Sequence, residues 1–224
     1  MPIDPDEYYG DMLEGLAAWF ASPFVADLRA TVARFPAPDL GNALNRNQVA
    51  SKRWLVDRLR EAAGERFGTI TILGGWFGVL GAMLLHDPRL AIRRVVSVDI
   101  DPRCAAIAES LNATHVRSGR FVAETGDMLL RDYPPIASGT DVESPDVVVN
   151  TSCEHIAAFG DWFARLPQGQ LVVLQSNDYR GVAGHVNCVS DLEAFRAQAP
   201  LRPLLYAGTL PTKRYRRFML IGRK

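Results

Sequence analysis

Val96-Ser97-Val98-Asp99-Ile100-Asp101-Pro102 decides the fold: an apolar run rich in β-branched residues stops on two acids and a proline. Such a run suits a strand buried on both faces. Asp101-Pro102 reads as a helix cap with proline at the first helical position, so the strand feeds directly into a helix over about 102–112. A similar unit stands upstream, where Thr69 to Leu73 enters Gly74-Gly75-Trp76-Phe77-Gly78 and a helical stretch follows to Leu85. Strand, helix, strand, helix in this order predicts βαβ crossovers and a mainly parallel sheet.

Further strands are predicted at Phe121 to Glu124, Asp146 to Asn150 and Gln170 to Gln175, with helices near Ala157 to Arg165 and Ser190 to Ala197. Ser190-Asp191-Leu192-Glu193 has the capping-box pattern at the start of the last helix. Leu204 to Thr209 and Arg217 to Gly222, joined through Pro211-Thr212, break the alternation and predict a closing antiparallel hairpin. Before the sheet, apolar residues at spacings of three and four predict two helices split at Ser22-Pro23. A loop over 36–42 and a helix from Asn47 to Ala63 follow. The expectation is an α/β protein: a Rossmann-like, doubly wound, mostly parallel seven-stranded sheet with a C-terminal antiparallel hairpin, residues 65–224, behind an N-terminal helical cap or lid, residues 1–64.

Composition narrows the function. The chain has 224 residues, 48% of them hydrophobic, and 25 basic against 25 acidic side chains. Six of the basic residues, from Lys213 to Lys224, follow Thr212 without an acid among them, which leaves 19 basic against 25 acidic before that point. A nucleic-acid binder would present a broad basic field; here the basic residues read as the solvated face of one hairpin. The longest apolar runs, such as Leu171 to Leu174, fall far short of the roughly 20 residues that span a bilayer, and Asp4, Asp6, Glu7 and Asp11 occupy the place of a signal's positive charge. A cytoplasmic protein without membrane or nucleic-acid partners is expected. Cys104, Cys153 and Cys188 form no Cys-x-x-Cys pair, so neither disulfides nor a zinc site is indicated.

In an open α/β sheet the ligand lies at the carboxyl ends of the strands, near the point where strand order reverses. The first strand ends in the glycine loop, where backbone can approach a ligand and a helix N-terminus follows. The second ends at Asp99, an acid about 20 residues after that loop, suited to accept both ribose hydroxyl hydrogens. Ile100 lies beside it. The third is followed by Gly126-Asp127-Met128, where Asp127 can accept from an adenine amino group and Met128 can cover the ring. A nicotinamide-dinucleotide domain is the rival reading, but the hairpin leaves no room for its second half.

These strand ends resemble those of the class I S-adenosylmethionine-dependent methyltransferases over residues 68–222. The resemblance implies S-adenosyl-L-methionine as cofactor, with Gly74, Gly75, Trp76 and Gly78 beside its methionine part, Asp99 and Ile100 at the ribose, and Asp127 and Met128 at the adenine. The sequence departs from the family's pattern at Leu73, where an acid usually precedes the glycines, so Gln48, Ser51 or Lys52 of the prefix are candidates to hold the cofactor ammonium.

The fourth strand ends in Asn150-Thr151-Ser152-Cys153-Glu154-His155, which in the family faces sulfonium and acceptor. Asn150 is the candidate to contact the cofactor and orient an amine lone pair, and Glu154, His155 and His185 are candidates to take the proton. Ser152, Asn177 and Tyr179 are candidate substrate contacts with His185. Tyr8 and Tyr9 are candidate substrate contacts as well and, with Trp19 and Phe20, are expected in a lid over a dry site, or in a homodimer interface. Cys153/His185 and Cys188/His155 nucleophile pairs lack a third partner. Asn150 stands where catechol-type relatives carry a metal-binding aspartate, so no metal is expected. The reading is a small-molecule methyltransferase acting on an amine or amino-acid-like acceptor. The alternatives are cyclisation of the cofactor to azetidine-2-carboxylate and methylthioadenosine, as in azetidine-forming relatives, and a noncatalytic S-adenosyl-nucleotide binder.

Overall fold

The structure is a computed structural model and describes residues 5–35, 38–134 and 146–224. Seven strands form one sheet: β1 (Arg66–Leu73), β2 (Ala91–Asp99), β3 (Phe121–Thr125), β4 (Val147–Asn150), β5 (Leu171–Asn177), β6 (Leu204–Pro211) and β7 (Arg216–Arg223). Their order is β3-β2-β1-β4-β5-β7-β6. The first five run parallel, and β7 inserts antiparallel between β5 and β6. The sheet therefore closes with the expected hairpin, and strand order reverses between β1 and β4.

Helices α5 (Val79–His86) and α6 (Pro102–Leu111) cover one face, and α8 (Phe159–Arg165) and α9 (Leu192–Gln198) the other. The prefix supplies α1 (Pro5–Phe20), α2 (Pro23–Arg34), α3 (Pro38–Ala43) and α4 (Arg46–Ala63), and α7 (Ala113–Arg117) follows α6. No helix among the described residues is long and apolar enough to cross a membrane.

The prefix helices have two separate jobs. Asn45 caps α4 through Gln48 N–H, and Leu55, Val56 and Leu59, three and four apart, sit in the main core with Ile70, Ile72 and Leu84. At about 2 kcal/mol for each fully buried leucine, α4 is part of the core. α2 packs instead on the outer side of α6, where buried Asp27 accepts from Thr114 N–H at 2.8 Å and Thr31 meets Ser110 at 2.9 Å. Trp19 and Phe20 at the end of α1 are 77% and 58% exposed, so they do not roof a cavity. The Tyr8 and Tyr9 side chains lie outside the described residues.

Two local readings change. The stretch expected as a loop becomes α3 from Pro38 onward, because Leu40 and Ala43 have an apolar cluster with Phe77 and Val79 to bury into. The helix cap expected at Ser190 is Asp191, whose carboxylate accepts from Ala194 N–H at 2.8 Å while Ser190 only braces it.

Candidate functional site

The glycine loop is folded back onto the end of β2. Gly75 N–H donates to Val98 C=O at 3.0 Å, Trp76 N–H to Asp99 Oδ2 at 2.8 Å, and Gly78 N–H to Gly75 C=O at 3.0 Å. Gly78 has φ +73°, and a Cβ there would lie 2.8 Å from Asn112 Nδ2, so only glycine fits. Trp76 also has positive φ, +47°, without being glycine. Such backbone costs of order 1 kcal/mol or more, and the charge-assisted bond to Asp99 offsets it. The amides of Gly75, Trp76 and Gly78 are thus spent internally, and what the loop offers a ligand is close backbone approach.

Asp99 is therefore a brace as well as a candidate ribose acceptor. Its Oδ1 accepts from Asp101 N–H at 3.0 Å, and Asp101 in turn caps α6 through Arg103 N–H, as expected. Asp127 Oδ1 accepts from Leu129 N–H at 2.8 Å.

A cavity of about 850 Å³ opens at the carboxyl ends of β1, β2, β4 and β5. One wall holds Gly74, Gly75, Trp76, Asp99, Ile100, Asp127 and Met128. The facing wall holds Ser152, Glu154, His155, Asn177, Tyr179 and His185, joined by Tyr215 and Arg217 of the hairpin. Gln48 and Lys52 of α4 close one side. Among the described residues, the sequence candidates are brought together with three exceptions, and the Tyr8 and Tyr9 side chains lie outside that set. Gly78 stands behind the loop under Asn112. Ser51 turns away, buried, and donates to Gln175 Oε1 at 3.1 Å. Asn150 is fully buried beneath the wall: its Oδ1 accepts from Ser152 N–H at 2.9 Å, and its Nδ2 points to Met128 Sδ at 3.5 Å.

The strand-4 turn forms a short 3-10 helix, Cys153–His155, stitched to the 178–190 loop by Asn187 N–H to Glu154 C=O and Asn187 Nδ2 to Cys153 C=O. Glu154 is buried; its Oε1 accepts from Asn177 Nδ2 at 2.5 Å and lies 3.8 Å from the Arg217 guanidinium. Its Oε2 is buried with no hydrogen-bond partner among the described residues. His155 Nδ1 lies 3.0 Å from Gly184 C=O and His185 Nδ1 2.7 Å from Tyr179 C=O, with the rings edge to face at 4.6 Å. The cysteine beside His185 is Cys188, at 3.7 Å, not Cys153. Burial pushes both thiols up, so neither is an activated nucleophile.

Two wall residues were not read from sequence as what they are. Arg217, expected on a solvated face, is buried and donates to Thr151 C=O and Gln175 Oε1. Its position follows from the register that sets Arg217 opposite Asn177 at the end of β5. Lys52 Nζ donates to Gln48 Oε1 at 2.7 Å; burial, then the nearby charge of Arg217, lower its pKa to about 7. A cation is the wrong partner for an ammonium group, which argues against Lys52 in that role.

No family model matches the chain, and no curated protein matches it. Solved structures do. An N-methyltransferase, NodS from Bradyrhizobium japonicum WM9 in complex with S-adenosyl-L-homocysteine, is 12% identical with a TM-score of 0.59, over 89% of this chain and 97% of that one. The geranyl diphosphate C-methyltransferase of Streptomyces coelicolor A3(2) is 15% identical with a TM-score of 0.55, over 79% and 81%. SpnF, described as a [4+2]-cyclase, is 14% identical with a TM-score of 0.57, over 79% and 82%. The last case shows that this sheet hosts more than one reaction, which must be argued from the site. The fold of this chain is that of the class I S-adenosylmethionine-dependent methyltransferases.

Proposed function

We propose that the chain transfers a methyl group from S-adenosylmethionine to a small amine or amino-acid-like acceptor. The observation that carries this reading is one continuous cavity joining the glycine loop, Asp99 and Asp127-Met128 to a second polar wall around Glu154. Its volume, about 850 Å³, is enough for a nucleoside-sized ligand with a small acceptor beside it.

The residues present fit that cofactor. Each Asp99 oxygen has one backbone amide and keeps a lone pair for a ribose hydroxyl. Asp127 and Met128 stand at the adenine end, and Lys52 offers a cation for the methionine carboxylate. When bound, S-adenosylmethionine supplies an electrophilic methyl group on a sulfonium. The unpartnered Glu154 Oε2 lacks just what an amine N–H provides, and Arg217 beside it favours an acceptor that also carries a carboxylate. Glu154, His155 and His185 are the groups placed to take the acceptor's proton. Asn150 acts through Ser152 and Met128 as a positioning residue. Of residues 1–64, only α3 and α4 contribute to the cavity, through Asn42, Ala43, Gln48 and Lys52, and these are the part of the prefix that covers the site.

The test is incubation of the purified protein with S-adenosylmethionine, alone and with a panel of amines and amino acids, followed by mass spectrometry. Acceptor-dependent S-adenosylhomocysteine supports the reading. Methylthioadenosine from cofactor alone assigns the cyclase reaction instead, and binding without turnover under every condition assigns a noncatalytic binder.

A further inference from the structure

We infer that Glu154, His155 and His185 form a binding site for a first-row divalent transition-metal ion at the acceptor end of the cavity. One ligand atom from each residue lies within 4.8 Å of the other two. Two imidazoles and a carboxylate are a donor set for zinc, cobalt, iron or manganese, and leave open positions for water or substrate.

Three independent features favour Nε2 of each histidine and Oε2 of Glu154 as the ligand atoms. A backbone carbonyl can only accept, so the contacts to Gly184 and Tyr179 place the proton on Nδ1 of each histidine and leave each Nε2 with a lone pair. This is the outer-shell arrangement that orients metal-binding imidazoles. Second, Glu154 Oε2 is buried in the cavity wall with no partner among the described residues, while Oε1 alone takes Asn177 and faces Arg217. An unsatisfied buried carboxylate oxygen costs free energy, and a bound cation satisfies it. Third, the two histidines come from different segments, the turn after β4 and the 178–190 loop, and two hydrogen bonds from Asn187 hold those segments together. Metal–ligand bonds of roughly 2.0–2.2 Å would draw the donors inward around one ion; His155, the exposed member, has the freedom to move.

The ion's presence does not depend on methyl transfer. If the proposed reaction holds, an amino-acid-like acceptor would reach the ion as a nitrogen and oxygen chelate; the three side chains would then serve as ligands in place of proton acceptors, and the acceptor's proton would leave to water.

The experiment uses the full, tag-free chain treated with a chelator, titrated with Co²⁺ alone and followed by calorimetry and visible absorption. The expected result is saturable binding of one ion, weakened at least about tenfold in His155→Ala and in His185→Ala. No saturable binding by the wild type, or binding unchanged in both variants, overturns the inference. S-adenosylhomocysteine affinity, measured on the same samples, separates the two proposals: its retention without Co²⁺ binding removes only the metal site, and the reverse removes only the cofactor assignment. His155 is exposed, so loss of binding in its variant, with an unchanged melting temperature, is not a folding defect.

Discussion

Replacing Lys52 with methionine keeps the aliphatic stem against the cavity wall and removes the amine. In the fold this amine titrates near pH 7, held down by burial and by the charge of Arg217, against an ordinary value of 10.5 in the unfolded chain. The folded pKa is the lower one, so between pH 7 and 10.5 the unfolded state binds more protons, and stability rises with pH across that window. Fully expressed, the difference costs the fold about 5 kcal/mol at pH 6. Lys52 is only partly buried, and contact with water reduces this to about 2–3 kcal/mol. Urea denaturation at constant ionic strength is the assay. Lys52→Met should be more stable than wild type at pH 6 by about 2 kcal/mol, and the gap should shrink by more than half by pH 9. A gap that stays constant from pH 6 to pH 9 would refute the assignment of a perturbed amine to this site.

Asp99→Ala removes two charge-assisted backbone bonds and the ribose acceptor; at about 1.5–3 kcal/mol for such bonds, S-adenosylhomocysteine affinity should fall at least tenfold by calorimetry. Gly78→Ala forces a side chain into a φ of +73° and against Asn112 and Ala108; a loss of about 1–3 kcal/mol should appear as a lower melting temperature. His115, edge-on to His86, has its pKa lowered to about 4, first by burial and then by His86. The unfolded chain then binds the extra proton between about pH 4 and 6.5, so stability should fall as pH drops through that window, and His115→Phe should flatten the fall in a pH series of thermal melts. Asn150→Ala should leave S-adenosylhomocysteine bound and abolish turnover, because its amide sets Ser152 and Met128 from below the wall; equal turnover would move the chemistry elsewhere.

The features that sequence disclosed are those fixed by neighbours along the chain. Asp101-Pro102 is a cap by local chemistry, and Asp99 reaches the cavity from the carboxyl end of its strand, the end at which open α/β sheets bind ligands. What sequence did not disclose depends on distant segments. The burial of Arg217 needs the antiparallel register of β7 on β5. Asn150 was read as a contact because it ends its strand, yet all four residues of β4 are buried, and Ser152, two residues on, is the one that reaches the wall. Trp76 in a left-handed conformation could not be read at all, since Asp99 on another strand stabilises it. The proline-rich stretch before α4 was read as loop because its reason to be helical, the cluster around Phe77, lies on the glycine loop.

The same long-range contacts give the cavity its charge pattern. Asp99 accepts from two backbone amides and Asp127 from one, which holds both on the glycine-loop wall without a cation. Glu154 instead has a guanidinium 3.8 Å away and an amine in the same cavity that titrates near pH 7. Below pH 7 two cations share that wall with Glu154, and above it one. A ligand carboxylate bound there gains the field of Lys52 only when the amine is protonated, so affinity for carboxylate-bearing ligands should weaken as pH rises through 7. A neutral nucleoside such as methylthioadenosine, which lacks the carboxylate, should show no such dependence. Comparing its binding with that of S-adenosylhomocysteine from pH 6 to pH 9 therefore isolates the amine's contribution, and parallel pH profiles would place the carboxylate away from Lys52.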